Sequence, residues 1–135
     1  MSLASYIGCN IEIALSDENL DDIIIIGDCF ADVHNFKNVK NYQFTTPYVY
    51  EVSSHWGIKI SEYTTPEIFA ESKKKLIRLC EIMDSYLEKG DFFELYSCWV
   101  GEEADNRDGE LVVQMNNFNI DQIEIPEKML VRFEK

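Results

Sequence analysis

The sequence predicts an α+β fold: a mostly antiparallel β-sheet packed by one long α-helix at about 65–89. Three observations carry the prediction. One segment has a strong helical period, several short segments are rich in β-branched and aromatic residues, and turn residues fall between them. A chain of 135 residues with 46% hydrophobic content suits a single domain, 1–135, with a real core.

Taken in order, Tyr6 to Ile13 reads as a strand, followed by a polar, acidic connection from Leu15 to Asp22. Asp22 to Phe30 holds the β-branched run Ile23–Ile26 and is broken by Gly27-Asp28, as expected of a buried strand entering a turn or bulge. Asp32 to Thr46 is weakly patterned and reads mostly as loop. Pro47 to Val52 and Trp56 to Ser61 are short strand candidates, with Gly57 suited to a bulge. The helix is the clearest element. Phe69, Ser72, Leu76, Leu79, Cys80, Met83 and Leu87 recur every three or four residues and form one core-facing stripe. Thr64 and Glu67 have capping-box spacing, Pro66 suits the first turn, and Gly90 is placed to end the helix. Phe92 to Val100 alternates as a strand, and Leu111 to Met115 is its expected hairpin partner after the Asp108-Gly109 turn signal. Ile120 to Ile125 and Met129 to Phe133 supply one or two final strands around Pro126.

The formal net charge is −13, and it is not evenly spread. Glu12, Asp17, Glu18, Asp21, Asp22, Asp28 and Asp32 fall in a stretch without Lys or Arg. Asp91, Glu94, Glu102, Glu103, Asp105, Asp108 and Glu110 face Arg107 alone. The two stretches contribute −7 and −6, and the rest of the chain is neutral. Such a charge distribution disfavours a nucleic-acid ligand, which needs a basic surface, and favours a basic protein or a cation.

Motif tests narrow the chemistry. Cys9, Cys29, Cys80 and Cys98 contain no CxxC pair, and none has the close ligand spacing of a zinc site. They read as reduced core thiols, which fits the cytoplasm. No basic region with a long apolar stretch opens the chain, so no signal peptide is expected. The run Ile23–Ile26 is far short of the roughly 20 residues that span a bilayer. An EF-hand alignment with Gly109 at its sixth position places Asn106 and Asp108 correctly but puts Ala104 first and Met115 last, so the calcium pattern fails. The glycines at 8, 27, 57, 90, 101 and 109 are single, and neither phosphate-cradling motif is present. Of the two histidines, His55 is the better candidate for a cleft, yet its neighbours Ser53, Ser54 and Glu51 form no nucleophile motif. No cofactor is expected. Trp99 reads as core, whereas Tyr96 and Trp56 read as aromatic anchors of a binding surface.

The run Glu94-Leu95-Tyr96-Ser97-Cys98-Trp99-Val100-Gly101-Glu102-Glu103, together with Val52-Ser53-Ser54-His55-Trp56-Gly57-Ile58, resembles small bacterial immunity proteins. These neutralise polymorphic or contact-dependent toxins, and many are acidic α+β domains. The resemblance implies an inhibitor that covers a basic, often nuclease-type toxin domain by charge complementarity. The expected function is therefore non-enzymatic binding of a basic protein partner, as a monomer or homodimer, with no role for nucleic acid or membrane. The expected contact residues are Glu102, Glu103, Asp105, Asp108, Glu110, Tyr96, Trp56 and His55. Two other readings stand beside it: a small ligand-binding domain or enzyme using His55 in a cleft, and a homo-oligomer joined through an exposed edge strand.

Overall fold

The computed structural model of the chain describes residues 2–17, 19, 21–28, 30, 32–52 and 56–135. Its elements are β1 (Leu3–Cys9), β2 (Ile26–Gly27), α1 (Val33–Tyr42), β3 (Tyr48–Val52), α2 (Pro66–Tyr86), β4 (Phe92–Trp99), β5 (Gly109–Gln114) and β6 (Met129–Glu134). The six strands form one sheet in the order β2-β3-β1-β4-β6-β5. Every neighbouring pair is antiparallel except β5 with β6, which are parallel. The expected α+β class is the one observed.

β1 organises the sheet because it is paired on both sides, with Tyr6 opposite Glu51 of β3 and opposite Tyr96 of β4. All seven of its residues are buried. Alternation along the strand sends Ile7 and Cys9 to one face and Ala4 and Tyr6 to the other. The first face joins the larger core, with Leu76, Leu79 and Met83 of α2 packed over Phe93, Leu95, Val131 and Phe133. The second face carries a smaller core in which Val39 of α1 and Phe44 lie over Tyr6, Val49, Tyr96 and Leu130. A strand buried on both faces cannot show a polar–apolar alternation, so β1 reads as uniformly apolar apart from Ser5, whose hydroxyl lies 2.6 Å from that of Ser97.

α2 is held by packing. Leu76, Leu79 and Met83 are fully buried, and each such side chain contributes about 2 kcal/mol on burial. Lys75 is also buried, with its ammonium donating to the Trp56 carbonyl at 2.8 Å. Its stem thereby lies along the apolar stripe while its charge reaches a polar group.

Several boundaries differ from expectation, each for an identifiable reason. Residues 33–42 form a helix where a loop was expected. The Asp32 carboxylate caps it by accepting from the amides of His34 and Asn35 at 2.7 and 3.3 Å. Only Val39 is fully buried there, so the apolar stripe is too narrow to register as a period. α2 is capped by Thr65, which accepts from Ile68, rather than by Thr64. The helix ends at Tyr86 with Leu87 as its cap, and Gly90 serves the following turn with φ of 100°. The strand expected from Asp22 to Phe30 contracts to the two residues of β2. The segments 56–61 and 120–125 form no strand, only the Ile60–Ile125 bridge. The first strand runs over Leu3–Cys9 rather than Tyr6 to Ile13.

The largest correction concerns β5, which does not pair with β4. β6 lies between them, with Phe133 opposite Phe93 and Val131 opposite Leu95. The burial patterns explain the choice. β6 buries Leu130, Val131 and Phe133, whereas Glu110, Val112 and Gln114 of β5 are exposed. The more apolar strand takes the inner place and the half-polar one the edge.

Replacing Asp32 with Ala removes both amide bonds at the start of α1. The variant is expected to lose about 1 kcal/mol in urea unfolding, with amide protection lost first in residues 33–42.

Candidate functional site

The acidic loop between β4 and β5 lies on the α1 side of the sheet and is fixed from below. Gly101, with φ of 103°, turns the chain away from β4 in a conformation that L side chains resist. The Glu102 amide then donates to the Trp99 carbonyl at 2.9 Å, and that of Asp105 to the Glu102 carbonyl at 3.0 Å. Between these turns the Glu103 side chain folds inward and is fully buried. One carboxylate oxygen accepts from the Gly101 amide and the other from the Tyr6 hydroxyl, both at 2.7 Å. A carboxylate taken out of water needs such donors, and this one is bonded both to its own loop and to the central strand.

Three further side chains complete the clamp. Gln43, at the C-terminus of α1 and buried, donates to the carbonyls of Glu103 and Asp105 at 3.0 and 2.7 Å. Arg107 donates to the Gln43 carbonyl at 3.0 Å and to Glu110 at 2.7 Å. Lys128 reaches Asp105 at 3.1 Å and Glu102 at 3.3 Å. Its backbone, at φ of 62°, donates to the Ser97 carbonyl and accepts from the Asp108 amide. The loop acids Glu102, Glu103, Asp105, Asp108 and Glu110 are thus met by two cations, Arg107 and Lys128, which leaves a local excess of three negative charges.

Electrostatics follow burial. The Tyr6 phenol is pushed far above its ordinary range, first by burial and then by its bond to Glu103. The carboxyl of Glu51, buried beside Tyr6, is raised first by burial and further by the charge of Glu103, against the lowering effect of the Phe30 amide that donates to it. Tyr96 is pushed up to about 12 by burial. Asp105 and Glu102 hold the Lys128 ammonium above its usual range. An open cavity of about 270 Å³ lies beside the loop, lined by Tyr42, Gln43, Ala104, Asp105, Asn106 and Arg107. Tyr42, which lines it, is 62% exposed.

The residues expected at a partner surface therefore divide. Asp105, Asp108 and Glu110 are exposed along the loop, and Glu102 is partly covered and paired with Lys128. Glu103 and Tyr96 are fully buried and offer a partner no side-chain surface. Trp56 is half-buried, with its ring edge-on to Trp99 at 5.7 Å between centroids. Trp99 shares the sheet face of Phe93 and Leu95, so Trp56 is not grouped with the acidic loop. His55 lies outside the described residues. Gln43, Tyr42, Tyr6 and Lys128 were not foreseen, because no motif marks them and only the fold brings them to this loop.

The first acidic stretch spans both sides of the sheet, with Asp32 capping α1 and Asp22 on the α2 side. Ile13, Ile24 and Ile26 belong to the core under α2, and Asp22 bonds to Arg78 of that helix at 2.9 Å. Among the described residues, no group of three or more His, Cys, Asp or Glu is placed to hold a metal ion, and no helix is long and apolar enough to cross a membrane. Comparison of the chain with protein-family models, curated proteins and solved structures finds no match.

Two outcomes follow. Glu103→Ala strands the Tyr6 hydroxyl and the Gly101 amide and is expected to cost roughly 2–4 kcal/mol; Glu103→Gln, which keeps an acceptor for Gly101, costs less, as chemical denaturation would register. For Glu51 the folded state favours the protonated carboxyl, so its contribution is complete at acid pH and is lost as pH rises through the raised value. Glu51→Gln is therefore expected to be more stable than the parent at neutral pH. The difference should vanish below the ordinary glutamate value of 4.5 in denaturation curves taken across pH.

Proposed function

We propose that this chain is a non-enzymatic binding protein of the cytoplasm that neutralises a basic partner, acting as an immunity protein against a toxin domain. The single observation that supports the reading best is the anchored acidic loop. Its exposed carboxylates at Asp105, Asp108 and Glu110 sit on a backbone tied to the sheet through Glu103 and to α1 through Gln43. A loop ordered before binding loses little entropy on association, so its charge is available for complementarity. The exposed Tyr42 ring beside the cavity adds apolar and cation–π contact for an arginine or lysine from the partner. The net charge of −13 steers a cationic protein toward the surface and repels nucleic acid. The sequence likeness to immunity proteins points to a toxin domain, often a nuclease, as that cationic protein.

The test is co-expression with the toxin domain encoded beside this gene, together with binding measured on the purified pair. The parent chain is expected to restore growth and to bind in a salt-sensitive manner. Reversing Asp105, Asp108 and Glu110 to Lys together is expected to weaken binding on the order of 100-fold; Asp108→Lys alone, at a carboxylate in no ion pair among the described residues, is expected to weaken it in the same direction without disturbing the pairs to Arg107 and Lys128. Absence of protection, or affinity indifferent to the three reversals, would sink the reading.

A further inference from the structure

The sheet has two edges of very different character. β2 closes one with only two residues. β5 closes the other with six, and among the described residues the backbone hydrogen bond on its outer side is the one at its end, where the Gln114 carbonyl accepts from the Asn117 amide at 3.1 Å. Sheets that must stay apart guard such an edge with lysine, proline, a bulge or a covering segment. The β5 sequence Gly109-Glu110-Leu111-Val112-Val113-Gln114 contains neither Lys nor Pro, carries one charge at Glu110, and pairs with β6 residue for residue without a bulge. Val112 stands 60% exposed in its middle.

We propose that β5 pairs antiparallel with β5 of a second copy of this chain, about a two-fold axis through Val112, to make one continuous sheet. The argument for a second copy is the self-complementarity of that register. Val112 meets Val112, Leu111 meets Val113 and Glu110 meets Gln114 of the other copy, so no like charges oppose one another. Beyond the strand ends, Asp108 falls opposite Asn116 in the same register. A shift of the axis to Leu111 would set Glu110 against Val112 and strand the charge against an apolar side chain. Because the register is residue-centred and symmetric, side chains keep their faces across the joint. Leu111 and Val113, already packed at the margin of the α2-side core, continue that core into the second copy. The acidic loops lie at opposite ends of the paired strands and leave Glu102 and Asp105 uncovered, whereas Glu110 is a residue of β5 and lies within the joint.

A six-residue edge covers less than the ~800 Å² per partner of a standard interface, so the dimer forms at high protein concentration. Two copies at −13 also repel, and salt relieves the repulsion. The dimer should therefore strengthen with salt, whereas binding of a basic protein to the acidic loop weakens.

Sedimentation equilibrium of the whole chain from roughly 10 μM to 1 mM, at low and high salt, tests this. The expected result is a concentration-dependent dimer favoured by salt. Val112→Lys is expected to raise its dissociation constant at least ~10-fold, and Val33→Lys, an equally exposed change on α1, is expected to leave it alone. A monomer at every concentration and salt would overturn the proposal, and so would a dimer that Val112→Lys does not weaken. Val112 is not one of the acids proposed to meet a basic partner, and Asp105 lies outside β5, so binding tested through Asp105 stands or falls separately from the dimer.

Discussion

The carboxylate of Glu103 is the constraint on which the α1 side of the molecule depends. A buried carboxylate without donors costs several kcal/mol, and here the donors come from two places far apart in sequence, Tyr6 of the central strand and Gly101 of the loop itself. To satisfy them the loop must lie flat on the sheet. Its carbonyls at Glu103 and Asp105 then meet the Gln43 amide, which fixes where α1 ends. Lys128, paired with Asp105 and Glu102, donates its amide to the Ser97 carbonyl at 2.7 Å and so joins the loop and the start of β6 to β4. The order β4-β6-β5, with a strand inserted into what looks like a hairpin, is consistent with this arrangement.

The two sheet faces divide the work. Under α2 the core is apolar, with Phe93 stacked on Phe133 at 4.9 Å, and it supplies most of the apolar burial. Under α1 the cover is thinner and contains ionisable groups: Glu51, Glu103, Tyr6 and Tyr96 are all buried. The Tyr6–Glu103 pair among them is costly to bury and offers little stability over an apolar equivalent. Its value lies in specifying one loop conformation, because each polar group has few alternatives. The exposed acids and Tyr42 follow from this arrangement, since the same loop that buries Glu103 turns Asp105, Asp108 and Glu110 outward.

What the sequence reveals and what it hides separate along the same line. α2 and β4 are legible because their signals are local: a broad apolar stripe in one case and an alternating run in the other. α1 is not legible, since its one capping side chain and narrow stripe matter only once the sheet lies beneath it. The position of β5 at the edge depends on a comparison with β6, which begins only at Met129 and which no local pattern encodes. In the acidic loop, composition marks where the charge gathers but cannot distinguish Glu103 from its neighbours. That distinction arises from Tyr6, 97 positions away in the chain. The same blindness applies to Tyr96, whose alternating strand position fits either face until α1 and the loop cover one of them.

Amide hydrogen exchange at Gly101 and Asp105 tests the anchored loop most directly. Both amides lie in bonds that exist only while Glu103 is seated or the turn beside it is closed. The account predicts protection at these two positions comparable to that of β4 amides such as Tyr96. Exchange at the rate of an unstructured peptide, with β4 still protected, would show that the loop is not held and would contradict it.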